Sequence, residues 1–60
     1  MEVRTSQFEF SHGKAPRGEG NWAFLIGRET KWFYGNYGDA KKEAIAYAKT
    51  KRLDRIEVLP

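Results

Sequence analysis

The residues best suited to chemistry in this sequence are cations set among glycines and aromatic rings. Gly13-Lys14-Ala15-Pro16-Arg17-Gly18 places two cations in a turn-rich segment whose backbone amides can meet phosphate oxygens. It is not a nucleotide-binding P-loop, because no Gly-x₄-Gly-Lys-Ser/Thr run stands between a strand and a helix. The competing reading of this segment is a polar connection between strands. Arg28, Lys31 and Phe33 form a second set, with charge beside a ring that can stack. Phosphates attract such cations, and bases or sugars accept the apolar contact. Against that, Phe33 can pack across a sheet on Leu25, with Lys31 as an edge charge that discourages aggregation. Lys49-Thr50-Lys51-Arg52 is the third basic run, but a solvated helix end whose cations complement the helix dipole is its commoner explanation.

Other chemistries are poorly supplied. His12 is the single histidine and there is no cysteine, so neither a Cys/His zinc module nor a disulfide scaffold is available. The eight carboxylates are scattered and none pairs persuasively for acid–base work. A cleft of roughly 300 Å³ or more would consume the core of a sixty-residue chain, so no catalytic residue, cofactor or metal is expected. No run approaches the roughly 20 apolar residues of a membrane span, and Met1-Glu2-Val3-Arg4-Thr5 lacks a hydrophobic signal core. A cytoplasmic location is the resulting expectation.

The elements that must position these groups are predicted as follows. Val3 to Phe10 reads as a strand, Phe8 and Phe10 alternating with Gln7 and Glu9. Residues 11–20, rich in glycine and broken by Pro16, form a loop. Asn21 to Gly27 is the clearest strand, with Trp22, Phe24 and Ile26 on one face and Ala23 and Leu25 on the other. After a turn over 27–30 the chain returns antiparallel as a strand over Lys31–Tyr37. There Trp32 and Tyr34 are assigned to the core face, and Lys31 and Phe33 to the opposite one. Asp39 stands where a helix cap belongs, and 40–51 carries Ala40, Ala44, Tyr47 and Ala48 on one arc. Ile56 and Val58 alternate in a final short strand or extended tail.

These elements predict a single α+β domain over residues 1–60. Its core would be a three-stranded antiparallel sheet packed on one face by a C-terminal helix, and its other face is left uncovered. Trp22, Phe24, Trp32, Tyr34 and Tyr47 are assigned to packing rather than to a ligand cage. The net charge of +3 is uneven, with +2 over residues 11–31 and +3 over 39–52.

Arg17-Gly-Glu-Gly-Asn-Trp-Ala-Phe-Leu-Ile26, Lys31-Trp-Phe-Tyr-Gly-Asn-Tyr37, Asp39-Ala-Lys-Lys-Glu-Ala-Ile-Ala-Tyr47 and the closing Leu59-Pro60 together resemble the plant ethylene-response-factor (APETALA-type) DNA-binding domain. The layout is also similar to the three-stranded arm-binding domains of tyrosine integrases. The resemblance spans roughly residues 14–60. It implies a sheet laid into the DNA major groove, with Arg17 and Lys31 at arginine positions and Phe33 at a DNA-contacting tryptophan. Trp22 and Ile26 fall on its core positions. The sequence departs from that pattern at Glu19, where an aromatic is usual, at Leu25, which replaces a polar contact residue, and at Gly27, which replaces an arginine.

The leading expectation is therefore a nucleic-acid-binding module, with duplex DNA as partner and Lys14, Arg17, Arg28, Lys31 and Phe33 as contacts. The alternative is a protein-interaction module or homodimer that buries Ala23, Leu25 and Phe33.

Overall fold

A computed structural model describes all residues, Met1–Pro60. Strand β1 covers Glu2–Arg4, helix α1 Ser6–His12, β2 Glu19–Ile26, β3 Glu29–Asn36, helix α2 Tyr37–Thr50 and β4 Arg55–Val58. The four strands make one mixed sheet in the order β1-β4-β2-β3. β4 runs parallel to β1 and antiparallel to β2, and β2 and β3 form an antiparallel hairpin.

The hairpin follows from local chemistry. Gly27 and Arg28 are the only residues between the paired Ile26 and Glu29, and Gly27 has φ of 65°. Glycine at the first central position is the requirement of a type II′ turn, whose twist suits antiparallel strands. A Cβ at Gly27 would also stand 3.1 Å from Leu53 Cδ1, so the turn sits directly against the chain that follows α2.

Helix α2 begins two residues before the predicted Asp39 cap. The side chain of Asn36 accepts from the Asp39 amide at 2.9 Å, while its own Nδ2 donates to Asp39 Oδ2 at 3.0 Å. Asn36 is therefore the cap, and Asp39 supports it from the first turn. Loss of such a cap costs about 1 kcal/mol, which in a chain of this size lowers Tm by about 4–8 °C. Asn36→Ala should show that drop in a thermal melt monitored by circular dichroism. At the other end Leu53 N donates to Ala48 O at 3.0 Å and Arg52 takes φ of 59°, closing the helix without a glycine.

Ala40, Ala44 and Ala48 recur every four residues and are fully buried, so the helix axis can approach a sheet of bulky side chains. The sheet supplies Trp22, Phe24, Ile26, Ile56 and Val58, with Phe33 packed against them and Phe8 closing one end. The predicted helix stripe is thus present, but two of its predicted partners, Trp32 and Tyr34, are not in the core. They are 66% and 76% exposed.

Three expectations need correction. The predicted strand over Val3–Phe10 is a three-residue strand followed by α1, which ends at Gly13 in the left-handed conformation with its N–H on Glu9 O at 2.7 Å. Phe8 and Phe10 lie about 200° apart around a helix, so one is buried and the other is 93% exposed. The sheet is four-stranded and mixed rather than a three-stranded antiparallel one. The closing segment inserts beside β2 because Ile56 and Val58 bury there completely. Finally, the two faces of β3 are exchanged. Trp22 stands opposite Phe33 and Phe24 opposite Lys31, so Lys31 and Phe33 face α2. Trp32 and Tyr34 share the open face with Ala23 and Asn21.

Candidate nucleic-acid interface

The face of the sheet away from α2 is built by the outward positions of each strand. On β3, an edge strand, these are Thr30, Trp32 and Tyr34. Two residues apart on one strand means about 6.6 Å between the bases of the two aromatic side chains. Neither ring takes part in an aromatic pair, whereas the buried rings do: Phe24 meets Phe33 edge-on at 5.9 Å and Trp22 meets Tyr37 at 5.1 Å. On β2 the same face carries Asn21, Ala23 and Leu25. Ala23 is buried, lying between Trp32 on one side and the Leu59 amide that donates to its carbonyl at 2.9 Å on the other.

The loop after α1 is held at two points. Pro16 is buried, and the Gly18 carbonyl accepts both the Tyr37 amide at 2.9 Å and the Trp22 indole at 3.2 Å. The same indole also reaches the Gly35 carbonyl at 3.2 Å. Lys14 and Arg17 are therefore exposed cations on a tethered loop. Arg17, Glu19 and Asn21 converge with Trp32 on a groove of about 280 Å³.

The opposite end of the molecule collects positive charge. The β2–β3 turn lies against Leu53 at Gly27, which puts the neighbouring Arg28 at this end, and Lys31 and Lys51 stand 5.0 and 5.6 Å from the centre of the same Tyr47 ring. With Lys49 and Arg52 this end holds five cations against Glu29 and Asp54, a local excess of three, while Arg55 next to them stands opposite Glu2 in the β1–β4 pair. Segmented along the sequence the charge looked divided; the fold gathers it. The signal available beforehand was the hairpin itself, which returns residue 28 toward the chain following the helix.

Tyr47 is fixed within this basic end. Its hydroxyl donates to Glu29 Oε2 at 2.8 Å, and that bond holds its ionisation above the usual 10.0, with burial and the Glu29 charge adding in the same direction. Because the folded value is the raised one, the stabilisation is complete below the ordinary tyrosine range and is lost as pH rises through the folded value. Glu29→Ala should bring Tyr47 down toward the ordinary range when its own ring resonances are followed in an NMR pH titration, while Tyr37, which burial also raises, stays where it is.

The residues expected to act together do not form one patch. Lys14 and Arg17 lie at one end and Arg28 and Lys31 at the other, while Phe33 is half-buried against the core beneath α2. Leu25 is half-buried on the open face, and Ala23 is covered. Trp32 and Tyr34, both assigned to the core from the sequence, are the large rings that the open face presents. No cluster of His, Cys, Asp or Glu side chains is arranged to hold a metal, and no helix is long and apolar enough to cross a membrane. Comparison with protein-family models, curated proteins and solved structures gave no match.

Proposed function

We propose that this chain is a nucleic-acid-binding module that stacks unpaired bases on Trp32 and Tyr34 and anchors the phosphate backbone at its basic end. The observation that carries the reading is the exposure of those two rings, side by side on an open sheet face. A sixty-residue chain has little core to spare, and burying such a side chain stabilises by about 1.5–3 kcal/mol. Leaving both in water is a cost that an occupant would recover. Flat rings spaced along one strand suit successive bases of an extended single strand, whose π-faces stack whatever the sequence. Lys31, on the helix side of the same edge strand, and Arg28, at its turn, stand within reach of a backbone that follows β3.

The geometry favours unpaired nucleic acid over the duplex groove that the ethylene-response-factor resemblance implies. Groove reading needs long donors projecting from the sheet face. Here the centre of that face offers Asn21, Ala23, Thr30, Trp32 and Tyr34. The resemblance supports the reading only in the order of hairpin and helix and in the position of Arg17.

The test is a fluorescence anisotropy titration of a labelled single-stranded oligonucleotide at two salt concentrations, with an equal-length duplex in parallel. Binding should weaken with salt, and Arg28→Glu combined with Lys51→Glu should weaken it further and flatten the salt slope by about two. Absence of binding at low salt would falsify the proposal.

A second reading draws on the charge balance of the open face away from β3, where Glu2 is bonded to Arg4 at 2.8 Å and Glu57 and Arg55 offset each other. With Phe10 also exposed, such a face suits a partner protein or a second copy of the chain. Sedimentation showing a dimer that Leu25→Asp dissociates, with no oligonucleotide binding, would favour it.

A further inference from the structure

The groove beside Trp32 has a chemistry of its own. It opens between α1, the tethered loop and the start of β2, with Trp32 and Leu59 among its apolar walls and His12, Arg17, Glu19 and Asn21 as its polar side chains, His12 lying stacked on Phe8 at the α1 side. Its volume of about 280 Å³ falls just short of the roughly 300 Å³ at which clefts for drug-sized ligands begin, so it fits a fragment the size of one base. Arg17, Glu19 and Asn21 make no side-chain hydrogen bond within the chain, although Arg17 and Glu19 carry opposite charges and line the same groove. Arg17 can only donate, Glu19 can only accept, and Asn21 does both.

We infer that this groove is a subsite for a single guanine base, held against Trp32 with its edge shared between Glu19 and Arg17. The inference rests on the single-strand reading above and names what that site selects. Guanine presents two adjacent donors, N1–H and the N2 amino group, to a carboxylate, and keeps O6 and N7 as acceptors for a guanidinium. Thymine and uracil offer one donor, N3–H. Adenine keeps N7 for Arg17 but lacks both the O6 acceptor beside it and an N1–H donor for Glu19. Cytosine meets both charges with a single donor group and a smaller ring to stack. Asn21 remains free to bond the sugar or a neighbouring base.

The experiment uses the full chain and short single-stranded probes: an all-thymine oligonucleotide, and the same length with one central guanine or one central adenine. One guanine per probe prevents quadruplex formation. The guanine probe is expected to bind about tenfold more tightly than the other two, as one bidentate pair provides. Glu19→Gln should bring it to the level of the adenine probe. Glu43→Gln, on the exposed side of α2, should keep the preference and controls for the change in net charge. Equal binding of all three probes, or equal gains from guanine and adenine, overturns the guanine subsite and leaves the stacking surface standing. Binding of none of them overturns both.

Discussion

Replacing Trp32 and Tyr34 together by alanine is expected to lower affinity for a single-stranded oligonucleotide by about a hundredfold or more, with the fold retained. Each base stacked on an aromatic ring is worth about 1–3 kcal/mol, and every 1.4 kcal/mol is a factor of ten. The fold survives because both rings are mostly in water and neither packs on another ring. What the sheet loses is their strand propensity, on a scale that spans about 1 kcal/mol. Circular dichroism should therefore show a folded protein, with Tm lowered by several degrees, beside a binding isotherm that has collapsed. Full affinity in that folded variant would move the binding site off the open face.

Phe24→Ala is expected to have the opposite profile, with the structure itself lost. Phe24 is fully buried in β2, between β4 on one side and β3 on the other. Its ring meets Phe33 edge-on at 5.9 Å and stacks on Tyr37 at 6.3 Å. Truncating such a ring costs about 3–5 kcal/mol through lost burial and the cavity left behind. At about 0.05–0.15 kcal/mol per residue, sixty residues provide about 3–9 kcal/mol in all. A large unfolded fraction at room temperature is the expected outcome, visible as collapsed amide dispersion. Alanines 40, 44 and 48 cannot move in to compensate, because their short side chains already bring the helix against the sheet.

The contrast between these two variants marks what sequence reasoning could and could not read. The hairpin, the alanine stripe of α2 and the inward set Trp22, Phe24 and Ile26 were legible, because glycine turns and strict periodicity announce them. β3 was misread because Trp32, Phe33 and Tyr34 are aromatic in succession, so alternation alone cannot say which face is inward. The turn does say it: an even number of turn residues sets odd positions of β3 opposite even positions of β2. α1 was hidden by the alternation of Phe8 and Phe10, although Gly13 and the four-residue spacing of Phe8 and His12, stacked at 4.1 Å, were helix signals. The insertion of β4 between β1 and β2 rests on long-range pairing, for which two alternating aliphatic residues give no partner. The candidate site was missed with β3, since exchanging its faces turned a stacking surface into a core.

The most direct measurement is a titration of isotope-labelled protein with a short all-thymine single strand at low salt, followed by amide and indole chemical shifts. The Trp32 indole and the amides of Thr30, Trp32 and Tyr34 are expected to move together and saturate, with a weaker response at Arg28, Lys31 and Lys51. The Trp22 indole, bonded to the Gly18 and Gly35 carbonyls, should stay in place. A spectrum in which the Trp32 indole does not move, or in which shifts gather instead around Lys41 and Lys42 on α2, would contradict stacking on the open face.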